Sequence, residues 1–513
     1  MSRINTNVQS IIAQRVLANN NRGLNSSLER LSTGLRINRG ADDPAGLIAS
    51  ENLRAEKTGL AQAIANAERA EQVVNIAEGG LQEVSGLLNE LEGLITATAN
   101  TAGLSSEERK ANQLQIDSIL QTIDRIASST SFQGNRLLNG KLDYSATSVA
   151  GDVSNFKING AKLGFGGDLE VDVVVTNSAQ AGGYFLSFGG GSLDLGAATD
   201  RFVFEIAGSV GARELSFASG ASLASIATAV NTFTEVTGVK ATVSGTGIRL
   251  ESSEFGSENF VSVKVTNDGS IAPAQAGIYE YAAQDTNVAS AATRVAFNAA
   301  GNPLIDRGQD VEAVINGILA TGNGTKASIN TDFLSVEVDL SSGTAGGTAN
   351  AQTLGALSAL TITGGGADFQ LASQVDIAGK VSLGVGNVAV RTIGDVQDAS
   401  ANRYNLSDLG AGKGLNVVSG DLVTAQKAVR EAIRDVTSLR GRIGAFQKNT
   451  IGATIRSLGV SLENTTAAES AIRDADFASE TAALTRSQIL VSASTNTLAI
   501  ANTQPQNVLQ LLG

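Results

Sequence analysis

The 513-residue chain has no cysteine, no histidine and no tryptophan. Without cysteine it can form neither a disulfide nor a thiolate metal site. Without histidine it lacks the commonest general base and the commonest metal ligand, which leaves an enzyme only carboxylate or lysine chemistry and excludes a zinc peptidase built on histidine ligands. Proline occurs four times and aromatic residues make up 4% of the chain, so rigid turns and large core rings are both scarce. Positive charge is short as well. The net charge of −13 has the wrong sign for nucleic acid or an anionic membrane as the main partner. No apolar run reaches the roughly 18 residues that suggest a bilayer-spanning helix. The opening Met1-Ser-Arg-Ile-Asn-Thr-Asn has no apolar signal core, so signal-peptide secretion is not expected. No residues are assigned as catalytic, metal-binding or cofactor-binding.

What the chain does have is helical periodicity at both ends. Leu60, Ala63, Ala67, Ala70, Val74, Ala77, Leu81, Val84, Leu88, Leu91 and Ile95 follow one another at steps of three and four. That is about five heptads, the pattern of a helix that lies along another helix. A helix from Pro44 to about Asn100 would run roughly 85 Å at 1.5 Å per residue, too long for one compact core, so it needs a long partner. The partner lies at the far end of the sequence. Leu422, Val429, Val436 and Ile443 fall every seven residues, with Ala425, Ala432, Leu439 and Phe446 on the alternate seam. Between them, Ser105-Ser-Glu-Glu108 reads as a capping box that opens a helix with Ile116, Ile119, Leu120, Ile123 and Ile126 on its seam.

The outermost segments are amphipathic too. Residues 4–37 carry one stripe at Ile4, Val8 and Ile11 and a second at Leu17, Leu24, Leu28, Leu31 and Leu35, with a stutter between them. Gly40 is expected to cap this helix, Asp43 to cap the next, and Pro44 to take its first position. Asp42 and Asp43 invite a metal-site reading, but capping and dipole complementarity explain them without a ligand. Near the C-terminus, Phe477, Leu484, Val491 and Leu498 again repeat every seven residues. Pro505 should end that helix, and the tail containing Leu509 and Leu512 is apolar.

From about 141 to 404 the helical periodicity gives way to short alternating runs separated by Gly, Ser, Thr, Asn and Asp. These are Leu169–Val175, Tyr184–Phe188, Phe202–Ile206, Ile248–Leu250, Phe260–Val265, Phe333–Leu340 and Val375–Val390. A short helix over Leu223–Val230 interrupts them. The expected fold class is therefore α+β: a long antiparallel helical bundle made by both chain ends, with a β-rich insert forming outer domains, two in number. The expected division is 1–40 with 465–513 as terminal core helices, 41–140 with 405–464 as a helical stalk with a β-hairpin, and 141–404 as the outer domains. The stalk helices can satisfy one another within one chain. The terminal pieces lack such a home, and identical copies joined by a non-closing interface would form a helical filament.

Leu31-Ser-Thr-Gly-Leu-Arg-Ile-Asn, followed by Asp42-Asp-Pro-Ala-Gly-Leu47, resembles the N-terminal signature of bacterial flagellins. Ala475-Asp-Phe477, Arg486-Ser-Gln-Ile-Leu490 and Pro505-Gln-Asn-Val-Leu-Gln-Leu-Leu512 resemble the C-terminal one, and Ala221–Thr242 is similar to a short motif of flagellins and hook-associated proteins. The resemblance implies a homo-oligomeric filament subunit for motility, secreted unfolded through the flagellar channel and polymerised at the distal tip under a cap protein. It further implies hook–filament junction proteins as neighbours and an export chaperone on the C-terminal helix. Some flagellins are sensed by a Toll-like receptor. At the equivalent positions this chain carries Glu90 in place of an Arg, retains Leu94, and has Gln115 in place of a Glu, which implies weak or absent sensing. Two alternatives stay open: a hook–filament junction protein, and a filament subunit whose outer domain is adhesive or glycan-binding. Separately, Asn323-Gly-Thr is a sequon, the pattern that accepts an N-linked sugar.

Overall fold

The computed structural model describes residues 6–100, 102–164, 167–197, 199–271, 276–282, 285–289, 293–340, 352, 354–397 and 402–510. It divides into two compact units, one of Met1–Asn75, Phe369–Lys380 and Gly441–Gly513, the other of Ile76–Asp368 and Val381–Arg440. The helices are α1 (Val8–Thr33), α2 (Pro44–Thr98), α3 (Ser106–Ser129), α4 (Leu223–Thr232), α5 (Thr234–Thr237), α6 (Leu422–Ala445), α7 (Gly452–Arg473) and α8 (Phe477–Gln510).

In the first unit, α1 and α8 pair antiparallel, and α2 up to Asn75 runs beside α7. Lys57 Nζ meets Glu469 Oε2 at 2.6 Å and Arg473 Nη1 meets Glu51 Oε1 at 2.8 Å. The seam of α2 here is mostly alanine: Leu60, Ala63, Ala67, Ala70 and Val74 are buried. Phe369 stacks obliquely on Phe446 at 5.9 Å between ring centroids. Phe446–Ile451 is a π-helical turn that joins α6 to α7 without a break. The sequence holds its cause. The buried seam steps from Phe446 to Ile451, five residues instead of four, and one wide turn absorbs the extra residue so that both stay buried.

In the second unit the rest of α2 packs with α3 and α6. Leu81, Val84, Leu88, Leu91 and Ile95 of α2, Ile116, Leu120 and Ile123 of α3, and the α6 seam from Ala425 through Val429, Ala432 and Val436 to Leu439 are all buried. Leu422, at the start of that seam, is half-buried. Arg440 and Arg430 of α6 reach Glu78 and Glu92 of α2 at 2.8 and 2.9 Å. The capping box of α3 is closed at both ends: Glu108 N donates to Ser105 Oγ (3.2 Å) and Ser105 N to Glu108 Oε2 (2.7 Å). These hydrogen bonds hold the Glu108 carboxyl below its ordinary range.

The insert folds around two separate hydrophobic cores. One lies between a five-stranded sheet (Ile318–Leu319, Glu312–Ile315, Leu169–Asn177, Gly355–Gly365, Tyr144–Thr147) and a four-stranded sheet (Thr321–Asn323, Lys326–Asn330, Leu334–Leu340, Val153–Ala161). Its apolar side chains alternate, as in the buried Val171, Val173 and Val175. The other core, nested in sequence inside the first, has a five-stranded sheet (Asp285–Ala289, Gly277–Ala282, Gly183–Ser187, Gly247–Ser252, Val239–Ser244) and a four-stranded one (Leu304–Arg307, Phe260–Asn267, Arg201–Gly208, Ala212–Ala218). Here α4 contributes Leu223, Ile226 and Val230, and Phe202 packs edge-on against Phe188 and Phe297 at 5.5 and 4.9 Å.

Several expectations are corrected. Helix α1 stops at Thr33, not at residue 37. Gly34 takes the left-handed capping position (φ +72°), with its N–H on Arg30 O, so Gly40 is not the cap. Leu35 is freed from the helix and forms an isolated bridge with Asp474. Pro505 does not end the last helix, whose backbone continues to Gln510. Val375–Val390 is not one strand; it holds the four-residue strand Lys380–Leu383. Val375 is exposed, while Val385 and Val388 are buried in a loop by hydrogen bonds to Leu142 O and Leu138 O.

Candidate assembly surface

Helices α1 and α8 carry most of the residues singled out at the chain ends, and their pairing follows a rule of its own. On α1 the side facing α8 runs through Ser10, Ala13, Leu17, Asn20, Leu24, Ser27 and Leu31, again at steps of three and four. The facing positions of α8 are Leu484, Ser487, Val491, Ser494, Leu498 and Ala501. This is one continuous phase, so the stutter expected in α1 is absent. The fully buried members are small or polar: Ser10, Ala13, Ser27, Ser494 and Ala501. Leu17, Leu24, Leu31, Leu484, Val491 and Leu498 are half-buried.

Hydrogen bonds mark the pairing. Asn7 Nδ2 donates to Ala501 O at 2.7 Å and Ser10 Oγ to Asn502 Oδ1 at 2.7 Å. Asn20 Nδ2 donates to Ser494 Oγ at 2.6 Å and to Leu490 O at 3.3 Å. Arg30 faces Glu480 at 3.7 Å; just beyond the pair, Arg36 Nη2 donates to Ile472 O at the end of α7 at 2.6 Å.

The large aliphatic side chains look the other way. Val8 and Ile11 are 52% and 57% exposed, and Ile12, Val16 and Leu28 are also exposed. On α8, Phe477, Ile489 and Ile500 are each at least 60% exposed, and Leu490 is exposed beside them. Ordinary amphipathic helices turn such residues inward. Fully burying one of them is worth about 1.5–3 kcal/mol, so the pair carries an unused driving force on its outer faces. Hydrophobic periodicity found the half-buried leucines and valine of this seam, Leu17, Leu24, Leu31, Leu484, Val491 and Leu498, but missed the positions between them, because serine, alanine and asparagine occupy them; the signal that could have found those is the 3–4 spacing of small and polar residues.

The other singled-out residues lie as follows. Asp43 Oδ1 accepts from Gly46 N at 2.9 Å, and Pro44 is the first residue of α2. Asp42 accepts from Asn38 N and Arg39 N, which lowers its carboxyl pKa. Glu90 and Gln115 are exposed and Leu94 is half-buried. Asn323 is exposed at the end of a strand. Ile4 and Leu512 lie outside the described residues, and Leu509 is described only as helical backbone. Among the described residues no cluster of acidic side chains could hold a metal ion, and no helix is long and apolar enough to cross a membrane.

Comparison with known proteins bears on both ends and the middle. The model of the bacterial flagellin N-terminal helical region matches residues 4–143, that of the C-terminal helical region residues 426–512, and that of the flagellin hook IN motif residues 201–254. Flagellin B of Helicobacter pylori strain J99 is 28% identical over 544 aligned positions, covering 99% of each chain. Flagellin of Salmonella choleraesuis strain SC-B67 is 27% identical over 533 positions, again covering 99% of each. Among solved structures, FliC from Burkholderia pseudomallei covers 74% of this chain and 99% of its own at 13% identity, with a TM-score of 0.22, too low to carry any argument. The chain belongs to the flagellin family: it is a structural subunit of the flagellar filament and not an enzyme.

Proposed function

We propose that the filament is held together by the outward aliphatic faces of α1 and α8, which copies of the chain bury against one another to form its core. The observation that carries this reading is how the pair divides its apolar side chains: the seam fully covers only Ser10, Ala13, Ser27, Ser494 and Ala501 and half-covers its leucines, while Val8, Ile11, Phe477, Ile489 and Ile500 stay outside. Within one molecule the seam has little apolar area, so the pair is marginal alone and gains most of its stability from neighbours. The helices α2, α6 and α7 form the next layer, and residues 141–404 face outward. A non-closing interface of this kind propagates as a helix of subunits.

The same reading covers how the chain reaches its place. It is exported unfolded and added at the distal tip under the cap protein, with junction proteins at the filament base. An export chaperone covers the C-terminal helix from Phe477 onward, whose exposed Phe477, Ile489 and Ile500 would otherwise associate early. Removing residues 1–40 and 470–513 together tests the proposal. The expected product is a soluble monomer that keeps the helical signal of its stalk and no longer polymerises on filament seeds; polymerisation of the truncated chain would refute it.

A further inference from the structure

The aliphatic faces explain why copies associate but not what aligns α1 with α8 inside each copy, and a seam of serine, alanine and leucine would pack almost equally well one heptad out of step. We propose that Asn20 sets the register of the α1–α8 pair, acting as a positioning residue for the whole assembly surface. Its amide donates to both Leu490 O and Ser494 Oγ, and Ser494 Oγ itself donates to Leu490 O at 2.7 Å, so the three groups close a ring. Ser494 is buried and Asn20 half-buried, so losing the partners leaves the Ser494 hydroxyl in the seam without the amide and the Asn20 amide only partly open to water.

A slip of one heptad in one direction replaces Leu490 and Ser494 by Thr497 and Ala501. Alanine has no hydroxyl, so the ring opens. A slip in the other direction moves Arg30 from Glu480 to the position of Arg473, a like charge beyond the first residue of α8. The two residues thus exclude the two neighbouring alignments, Asn20 the first and Arg30 the second. A single polar residue at a heptad seam position is known to fix register at some cost in stability, and that cost suits a pair that must stay marginal until it is assembled. The inference stands on contacts within one chain and holds whichever faces join the copies.

The absence of cysteine allows a clean test. A Cβ placed on Gly23 lies 3.8 Å from Ser487 Oγ, within disulfide reach, so Gly23→Cys with Ser487→Cys reports the native register. Val16→Cys with Ala501→Cys reports the alignment one heptad out of step. Each pair is introduced into the full chain, oxidised in solution and in seeded filaments, and read as an intramolecular band shift on a non-reducing gel. With Asn20 present, the first pair should crosslink at least about tenfold more than the second. In Asn20→Leu the ratio should collapse toward unity, even if the variant no longer polymerises, and Asn20→Ser, which keeps a donor, should restore it. An unchanged ratio in Asn20→Leu, or no native-register crosslink in the presence of Asn20, would overturn the proposal.

Discussion

Gly79 and Gly80 are adjacent in the middle of α2, yet they should respond to alanine with opposite signs. A helix-interior glycine costs about 0.5–1 kcal/mol relative to alanine, because glycine loses more backbone freedom on folding. At Gly79 a Cβ would meet no atom within 4 Å, so Gly79→Ala should stabilise the stalk by nearly that amount. At Gly80 a Cβ would stand 2.8 Å from Leu138 Cδ1 and 2.8 Å from Thr130 Oγ1. Neither can move freely: Leu138 is fully buried, and Thr130 Oγ1 is held by its hydrogen bond to Ile126 O at 2.8 Å. Overpacking of this kind costs about 1–3 kcal/mol, which outweighs the propensity gain. Urea unfolding of the full chain, followed by far-UV circular dichroism, should show a raised midpoint for Gly79→Ala and a lowered one for Gly80→Ala. Midpoints that move the same way would mean that α2 and the turn after α3 are not packed as described.

Other outcomes follow from the same geometry. Ser105→Ala removes the acceptor of the α3 capping box and should cost about 0.5–2 kcal/mol. Glu108, whose carboxyl is held below its ordinary 4.5, favours the folded state above that value, and its contribution is lost as the pH falls further through the lowered folded value. The difference between Ser105→Ala and the unaltered chain should therefore shrink in acid titrations of stability. Purified monomer should stimulate Toll-like-receptor reporter cells weakly, and Glu90→Arg should raise the response, since Glu90 is exposed and available to a partner. Strong signalling by the unaltered chain would contradict the charge argument.

The sequence showed the stalk clearly and the ends in part, for one physical reason. Where the seam is aliphatic, as from Leu81 to Ile95 and from Val429 to Ile443, heptad spacing identifies the buried face directly. At the ends the seam alternates Ser10, Asn20, Ser27 and Ser494 with half-buried leucines, so apolar spacing selects Leu17, Leu24 and Leu31 on the seam together with Val8, Ile11 and Leu28, which the pairing leaves exposed, and does not separate the two faces. In the insert, strands with strong alternation such as Leu169–Asn177 were legible. Tyr144–Thr147 and Gly355–Gly365, rich in small residues, are not, because few of their side chains are buried and they show no apolar alternation. Val375–Val390 misled in the other direction: its valines serve a loop pinned to the backbone of Leu138 and Leu142.

The most direct measurement of the central claim is the behaviour of Ile11→Asp combined with Ile489→Asp, two changes on the outer faces of α1 and α8, where these side chains are 57% and 63% exposed. The circular dichroism and unfolding midpoint of the monomer should be unchanged, and polymerisation on filament seeds, followed by light scattering and electron microscopy, should be abolished. Normal filaments from the doubly charged chain, or a monomer that unfolds because of the two charges, would contradict the account.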